Sequence, residues 1–338
     1  MSYILAKSLT NRFSLLAALI IIGFTAYFYP SNERTPSRTI ELTYTFTISD
    51  ISSEATDIHV WVPLPLTNNH QKLESLNVFG DWLYEKVEED EYGNKFLNFD
   101  LSNLRASGAN NATISINYII VRYTSYPLKE KRTRVFAGPE NLARFLAPDR
   151  LIPINGIIAA EAEQTAGDVD TAFNRARMLY DHIVETVVYD KSGTGWGRGD
   201  AIYACDVRKG NCTDFHSLFI GEARALNIPA KFIMGVSLPE DKSEGVIPGY
   251  HCWGEFYVSQ NGWLPIDASE ASKFPEKKDV YFARLDEHRI AFTIGRDIKL
   301  PGSDSEPLNY SIFPHVEVDG QTYNNVETSF FFKDIKRD

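Results

Sequence analysis

A cysteine, a histidine and an aspartate follow one another at Cys212, His251 and Asp267 in this chain of 338 residues. A thiolate attacks a carbonyl carbon. An imidazole takes the thiol proton and returns it to the leaving group, and a carboxylate fixes the imidazole tautomer. Together they equip a protein for acyl chemistry through a thioester. The local contexts are Lys209-Gly210-Asn211-Cys212-Thr213-Asp214-Phe215-His216, Gly249-Tyr250-His251-Cys252-Trp253-Gly254-Glu255 and Trp263-Leu264-Pro265-Ile266-Asp267.

The elements that must position these groups are readable. Phe215, Leu218, Phe219, Ala223 and Leu226 recur at helical steps, and Pro229 marks a stop. Gly210-Asn211 suits a tight turn, because glycine accepts backbone angles closed to other residues. Cys212 is therefore expected at a helix N-terminus, where free N–H groups and the helix dipole favour thiolate and can receive an oxyanion. The plain alternative is a small buried apolar cysteine. Polar, glycine-rich surroundings and the downstream partners argue for the nucleophile. His251 to Val258 alternates, with His251, Trp253, Glu255 and Tyr257 on one face. Gln260-Asn261-Gly262 is a turn, and Trp263 to Asp267 returns as the next strand. Antiparallel pairing then brings His251 to Asp267 or Ala268, within a residue or two.

These motifs resemble the transglutaminase-like superfamily, a branch of the papain-like cysteine enzymes, over roughly residues 140–300. The stretch is most similar to bacterial members with a "GNCTDFHSLF…ARALNIPA…GYHCWGEFY…GWLPIDASEA" core. The resemblance implies an α+β fold with the cysteine helix packed on an antiparallel sheet. It implies Cys212 as nucleophile, His251 as general base and acid, and Asp267 as the residue orienting His251. In eukaryotic members a tryptophan upstream of the cysteine helps hold the oxyanion, and Trp196 is the candidate here, beside Asn211. No segment corresponds to the calcium-binding segments of animal transglutaminases, so calcium activation and cross-linking are not implied.

Whole-chain composition sets bounds. With 43% hydrophobic residues the chain can bury substantial cores. A net charge of −11 argues against nucleic acid or an anionic membrane surface as a main partner. Three cysteines are too few for a disulfide scaffold. Cys205 and Cys252 could pair in an oxidising compartment, or be two separate buried thiols. Asp214 and His216 lie beside Cys212, but no Cys-x-x-Cys or His-x-x-x-His spacing accompanies them, so no metal or cofactor is expected.

In chain order, residues 1–12 form a short tail with Lys7 and Arg12, and residues 13–29 are almost wholly apolar. At 1.5 Å per residue that segment spans about 25 Å, near the thickness of a hydrocarbon core. It fits a signal-peptide core or a short anchor, with a buried core helix as the plain alternative; the uncleaved signal-anchor is favoured, followed by a polar linker at 30–38. Membrane anchoring through this helix with the catalytic part extracytoplasmic, periplasmic or at the cell surface, is the expectation. Residues 39–125 read as a small β-sandwich, with strands at Thr39–Ile48, Ile58–Val62, Leu83–Val87, Phe96–Phe99 and Ala112–Tyr123. Trp61, Pro63 and Pro65 fit sandwich packing better than a ligand groove.

Residues 126–300 read as the catalytic domain. A stripe from Val169 through Phe173, Leu179, Tyr180, Ile183 and Val187 is a core helix, with His182 structural beside it; Glu140 to Leu146 suggests a shorter one. The glycine-rich loop 189–211 is expected to wall the site, with Trp196 reaching toward it. Ala230 to Leu238 is a strand, and Pro239 to Gly249 reads as a mobile flap. His288 and Arg289 read as exposed strand-end residues or cleft lining. Residues 301–338 read as a C-terminal β extension, and short strands are expected at Ile290–Ile294, Ile298–Leu300, Val316–Val318 and Ser329–Phe332.

The functional expectation is cysteine-dependent acyl chemistry on an amide, peptide or isopeptide, ending in hydrolysis, with protein or peptide as substrate. The rivals are an amine-transferring transglutaminase and a non-catalytic module binding peptide or cell-wall material on the same fold.

Overall fold

The computed structural model describes residues 35–126 and 142–336, and strict alternation sets the architecture of the first stretch. Along β1 (Ser37–Ile48), Ile40, Leu42, Tyr44, Phe46 and Ile48 are fully buried, while the intervening residues are mostly half-exposed. Burial of each such side chain contributes about 1.5–3 kcal/mol. The same rule shapes β6 (Ala112–Tyr123), while β2 (Ile58–Pro63), β3 (Gln71–Phe79), β4 (Tyr84–Glu88) and β5 (Lys95–Asp100) are buried less regularly. Helices α1 (Gly156–Ala166) and α2 (Ala172–Thr186) follow. Next come β7 (Val188–Tyr189), α3 (Ala201–Val207), β8 (Lys209–Gly210) and α4 (Cys212–Ala225). Then follow β9 (Ala230–Ser237), β10 (Glu244–Ile247), β11 (His251–Val258), β12 (Gly262–Ile266) and α5 (Ala268–Lys273). The remaining strands are β13 (Arg289–Ile294), β14 (His315–Val318), β15 (Gln321–Thr322) and β16 (Val326–Asp334).

Two five-stranded sheets, ordered β10-β16-β1-β6-β3 and β15-β14-β2-β5-β4, make the sandwich. Their inner faces meet in a shared core, where the Phe46 and Phe99 rings lie 6.2 Å apart. Trp61 is buried outside that core, in a small cluster with Phe96, Ile298 and Leu300, and donates its indole N–H to Pro301 O at 3.0 Å, a packing role.

The C-terminal stretch is not a separate extension. Strand β16 lies antiparallel to β1 from Ile40 to Ile48, and β14 pairs with β2, so the sandwich is closed by the last residues of the chain. Strand β10 belongs to the stretch expected to be a flap, yet it pairs with β16 through Val246 and Phe331. Residues Thr35–Asp338 accordingly form one compact unit. Ile298–Leu300 makes no strand; Ile298 bridges Leu308 alone.

The second half is a mixed layer of helices on a four-stranded antiparallel sheet ordered β12-β11-β9-β13. Helix α4 packs on β11 and β9 and is flanked by α1, α2, α3 and α5. It is buried on all sides from Cys212 to Arg224, whereas its apolar stripe alone suggested one covered face. Helix α2 carries the expected core stripe through Ala176, Leu179, Tyr180 and Ile183, and Thr171 caps it. Of the shorter helix at 140–146, the described part contains a single turn at Arg144–Leu146; residues 140 and 141 lie outside the described residues, as does the apolar segment 13–29. Among the described residues no helix is long and apolar enough to cross a membrane.

Candidate active site

The head of α4 is built by its own sequence. Asn211 is the N-cap: its Oδ1 accepts from Thr213 N at 2.9 Å. Asp214 reaches back to accept from Asn211 N at 2.9 Å, completing a capping box. The same carboxylate accepts from Gly197 N at 2.7 Å and Gly199 N at 3.0 Å, tying the glycine-rich loop to the helix. Gly210 is required for a reason other than backbone angle. Its φ lies outside the left-handed region, but the Asp214 side chain sits 2.4 Å from where a Cβ would be. Thr213, Asp214 and Phe215 N–H groups are all taken by Asn211, so the Cys212 N–H is the donor left over within the first turn.

His251 opens β11, and Asp267 lies just past β12, where it caps α5. The strands pair with Gly254 opposite Ile266, which carries Asp267 up beside His251. His251 Nε2 and Asp267 Oδ2 are 2.7 Å apart. With Nε2 committed there, Nδ1 is the ring nitrogen left for Cys212, and each of the two groups shifts the other's protonation. Asp267 is fully buried and saturated: Oδ1 accepts from Ser269 Oγ at 2.9 Å and Glu270 N at 3.0 Å, while Oδ2 also accepts from Arg289 Nη2 at 2.8 Å.

Electrostatics separate the protonation states of the pair. A hydrogen bond from Cys252 is the largest influence holding the Cys212 thiol well below its ordinary range; burial opposes it, and His251 and His216 assist. For His251, burial alone would depress the imidazole, but the Asp267 charge and hydrogen bond, aided by Cys212, push it up to about 10. Burial works against the Asp267 carboxylate too, and His251, Arg289 and His216 overcome it and hold it well below the usual carboxylate range. The arrangement favours a thiolate beside an imidazolium, the state from which cysteine enzymes attack. Cys212 and His251 keep only 3% and 6% of their exposure, so both are nearly sealed from solvent. Tyr189 and Tyr250 both feel the Cys212 charge, and Tyr250 packs at a tilt against Tyr310 and edge-on against the exposed ring of Phe313.

Several expectations need correction. Cys205 and Cys252 are not paired; all three cysteines are free. Cys205 Sγ donates to Glu161 Oε2 at 2.8 Å, in a cluster with Arg208 and His182, whereas Cys252 sits against His216 and Cys212. The Trp196 indole N–H donates to Gly193 O at 3.2 Å, inside its own loop, so it is not presented to the sulfur. Asn211 spends its amide on Tyr250 Oη at 3.0 Å and acts as cap rather than as oxyanion donor. Arg289 is not exposed: it is 2% accessible and bound to the candidate triad, while half-buried His288 contacts Arg38.

Arg296 went unseen in the sequence, and His216 was weighed there only as a metal ligand. Arg296, 1% exposed, donates to Arg198 O at 3.0 Å, Gly199 O at 3.1 Å and Ser217 Oγ at 2.7 Å, fastening the glycine loop to α4. His216, one turn below Cys212, accepts from Ala268 N at 3.1 Å and faces Cys252. Its spacing of four from Cys212 was the one available signal.

Residues 159–268 match the model of the transglutaminase-like superfamily core, a span that contains Cys212, His251 and Asp267. The chain carries a transglutaminase-like core. It is 26% identical over 340 residues to an uncharacterised protein from Haemophilus influenzae, covering 89% of this chain and 91% of that one. Its fold is similar to that of a candidate cysteine protease from Cytophaga hutchinsonii, with a TM-score of 0.59, 17% identity and coverage of 90% and 93% of the two chains. A more distant likeness, with a TM-score of 0.36 and 16% identity, joins it to the periplasmic domain of TgpA from Pseudomonas aeruginosa over 73% of this chain and 74% of that one. A transglutaminase-like core supports cysteine-based catalysis in general, and so an enzyme of this superfamily.

Proposed function

We propose that the chain is a cysteine-dependent amidase or peptidase, working through Cys212, His251 and Asp267, that hydrolyses a peptide or isopeptide bond. One observation carries this reading: Asp267 Oδ2 holds His251 by Nε2 at 2.7 Å, which leaves Nδ1 for the thiol at the helix head. The Cys212 thiolate adds to the carbonyl carbon. The Cys212 N–H and the positive end of α4 receive the oxyanion. Imidazolium gives its proton to the departing amine as the C–N bond breaks, leaving a thioester; His251 then draws a proton from water as it attacks the acyl carbon, and the adduct collapses by breaking the C–S bond, releasing the acid and restoring thiolate and imidazolium. Water is the default acceptor. The apolar segment 13–29 followed by a polar linker supports an enzyme anchored in a membrane with this site on the extracytoplasmic side.

The test is iodoacetamide labelling of the full-length protein at neutral pH, followed by a screen of peptides, isopeptides and labelled amines. Labelling at Cys212 and release of free acid, both lost in Cys212→Ala, are the expected result. Incorporation of amine without free acid would replace hydrolysis by transfer. Ligand binding that persists in Cys212→Ala, with no turnover by the native chain, would leave a binding module instead.

A further inference from the structure

We propose that Arg289 is a positioning residue that divides the Asp267 carboxylate between itself and His251, and so sets how firmly the imidazolium keeps its proton. The proposal rests on the His251–Asp267 pair being the working one, as argued above. Both donors converge on a single oxygen. His251 Nε2 lies 2.7 Å and Arg289 Nη2 lies 2.8 Å from Asp267 Oδ2. The other oxygen is filled by Ser269 and Glu270 N, and the whole carboxylate is inaccessible to water.

An unshared buried carboxylate would make His251 too weak an acid. In a low-dielectric site the attraction is undiluted, and an imidazolium gripped that hard cannot hand its proton to a leaving amine. A second positive charge on the same oxygen offsets part of that attraction. Arg289 is held for the task. Its Nη1 donates to Asp286 Oδ1 at 2.5 Å, and its guanidinium lies over the Tyr281 ring at 5.3 Å. Asp286 is therefore an anchor and also a competitor for the guanidinium charge. The charge seen by His251 has opposite levers: loss of Arg289 tightens the imidazolium, and loss of the Asp286 charge loosens it.

The other groups acting on this pair are accounted for. From α4 come Cys212 and His216, and from β11 itself Cys252. The phenols of Tyr180, Tyr189 and Tyr281 also feel Asp267. His216 Nε2 lies 3.6 Å from Oδ1 rather than Oδ2, and Arg122 of β6 acts on Arg289 and Asp286, so among the described side chains His251 and Arg289 are the two donors to Oδ2.

The experiment is an NMR pH titration of the full chain with ¹³C-labelled histidine, the His251 signal being assigned by its loss in His251→Gln. Circular dichroism checks the fold of each variant. Asp286→Asn should lower the His251 midpoint by about half a unit, roughly a threefold drop in proton affinity. Arg289→Met should leave His251 protonated at the pH where the native chain is half titrated, and Arg289→Lys should lie close to native. An unchanged midpoint in Asp286→Asn, or shifts of the same sign in both, would overturn the proposal. If Arg289→Met does not fold, Asp286→Asn decides alone. No step needs turnover, so an inactive chain with the shifts keeps this inference, and an active chain without them loses it.

Discussion

His216 Nδ1 lies 3.6 Å from Cys252 Sγ, and the Cys252 thiol is in turn the largest influence lowering the Cys212 thiol. Because His216 Nε2 accepts the Ala268 N–H, neutral His216 carries its proton on Nδ1, facing Cys252 and the Cys212 carbonyl. That leaves the Cys252 S–H to point at the nucleophile. Burial pushes the Cys252 thiol well up, and the Cys212 thiolate adds to it, so Cys252 stays a donor where Cys212 is already ionised. Cys252→Ala should slow capture of Cys212 by iodoacetamide about three- to tenfold on the acid limb of the pH–rate profile, with Cys252→Ser close to native. Equal rates in all three would remove the thiol donor from the site.

The working form should be bounded on both sides. The Cys212 value is depressed and the His251 value is raised to about 10, so thiolate with imidazolium exists between them. Turnover should fall as pH drops through the depressed thiol value and again as pH rises through about 10. In Asp267→Asn the upper limb should move down, since the largest upward influence on His251 is gone, and kcat should fall about 10²- to 10⁴-fold. A pH–rate profile with an unmoved upper limb would contradict the assignment.

The same substitution has a stability signature. Asp267 has a folded value below its unfolded one, so its contribution is complete above the ordinary carboxylate pKa and is lost as pH falls through the folded value. Asp267→Asn strands the buried Arg289 and His251 charges, at a cost of about 3–5 kcal/mol at neutral pH. The difference between native and variant melting temperatures should shrink on acidification below about pH 4. A constant gap would show that ionic pairing is not what Asp267 supplies.

Trp196→Phe should lower turnover less than about threefold, because its N–H is already spent on Gly193 O. Loss of a true oxyanion donor costs about 10²- to 10³-fold. A loss of that larger size would mean that the loop re-aims the indole when substrate arrives.

Arg296→Met should free the glycine loop from α4, since Arg296 alone among these side chains reaches Arg198 O, Gly199 O and Ser217 Oγ together. Tryptic cleavage in the loop, at Lys191 or Arg198, should quicken about tenfold or more, while iodoacetamide still captures Cys212. Unchanged cleavage would show that Asp214 suffices to hold the loop.

The elements written in simple periodicity were legible, and those written in partnerships were not. Alternation set β1, β6 and β11 almost to the residue, and the three- and four-residue steps after Cys212 set α4. Strand β3 escaped because a register shift between Leu73 and Ser75 breaks its alternation. Helix α3 is only 7 residues long, capped by Asp200 inside a stretch dominated by glycine, so it read as loop. Arg289 could not be recognised as buried from its own neighbourhood, because its two carboxylate partners make that burial tolerable and one of them is supplied by another element. The role of β16 rests on a pairing that spans nearly the whole chain, which local pattern cannot reveal.

That last pairing constrains how the molecule can be dissected. Strand β10, seven residues ahead of His251 at its first position, leans on β16, which in turn leans on β1. A fragment cut to the family-matched stretch, 159–268, would lose both supports and strand apolar edges in water. A truncated chain should keep everything from Thr35 to Lys336, because β16 and β1 are the foundation under its chemistry.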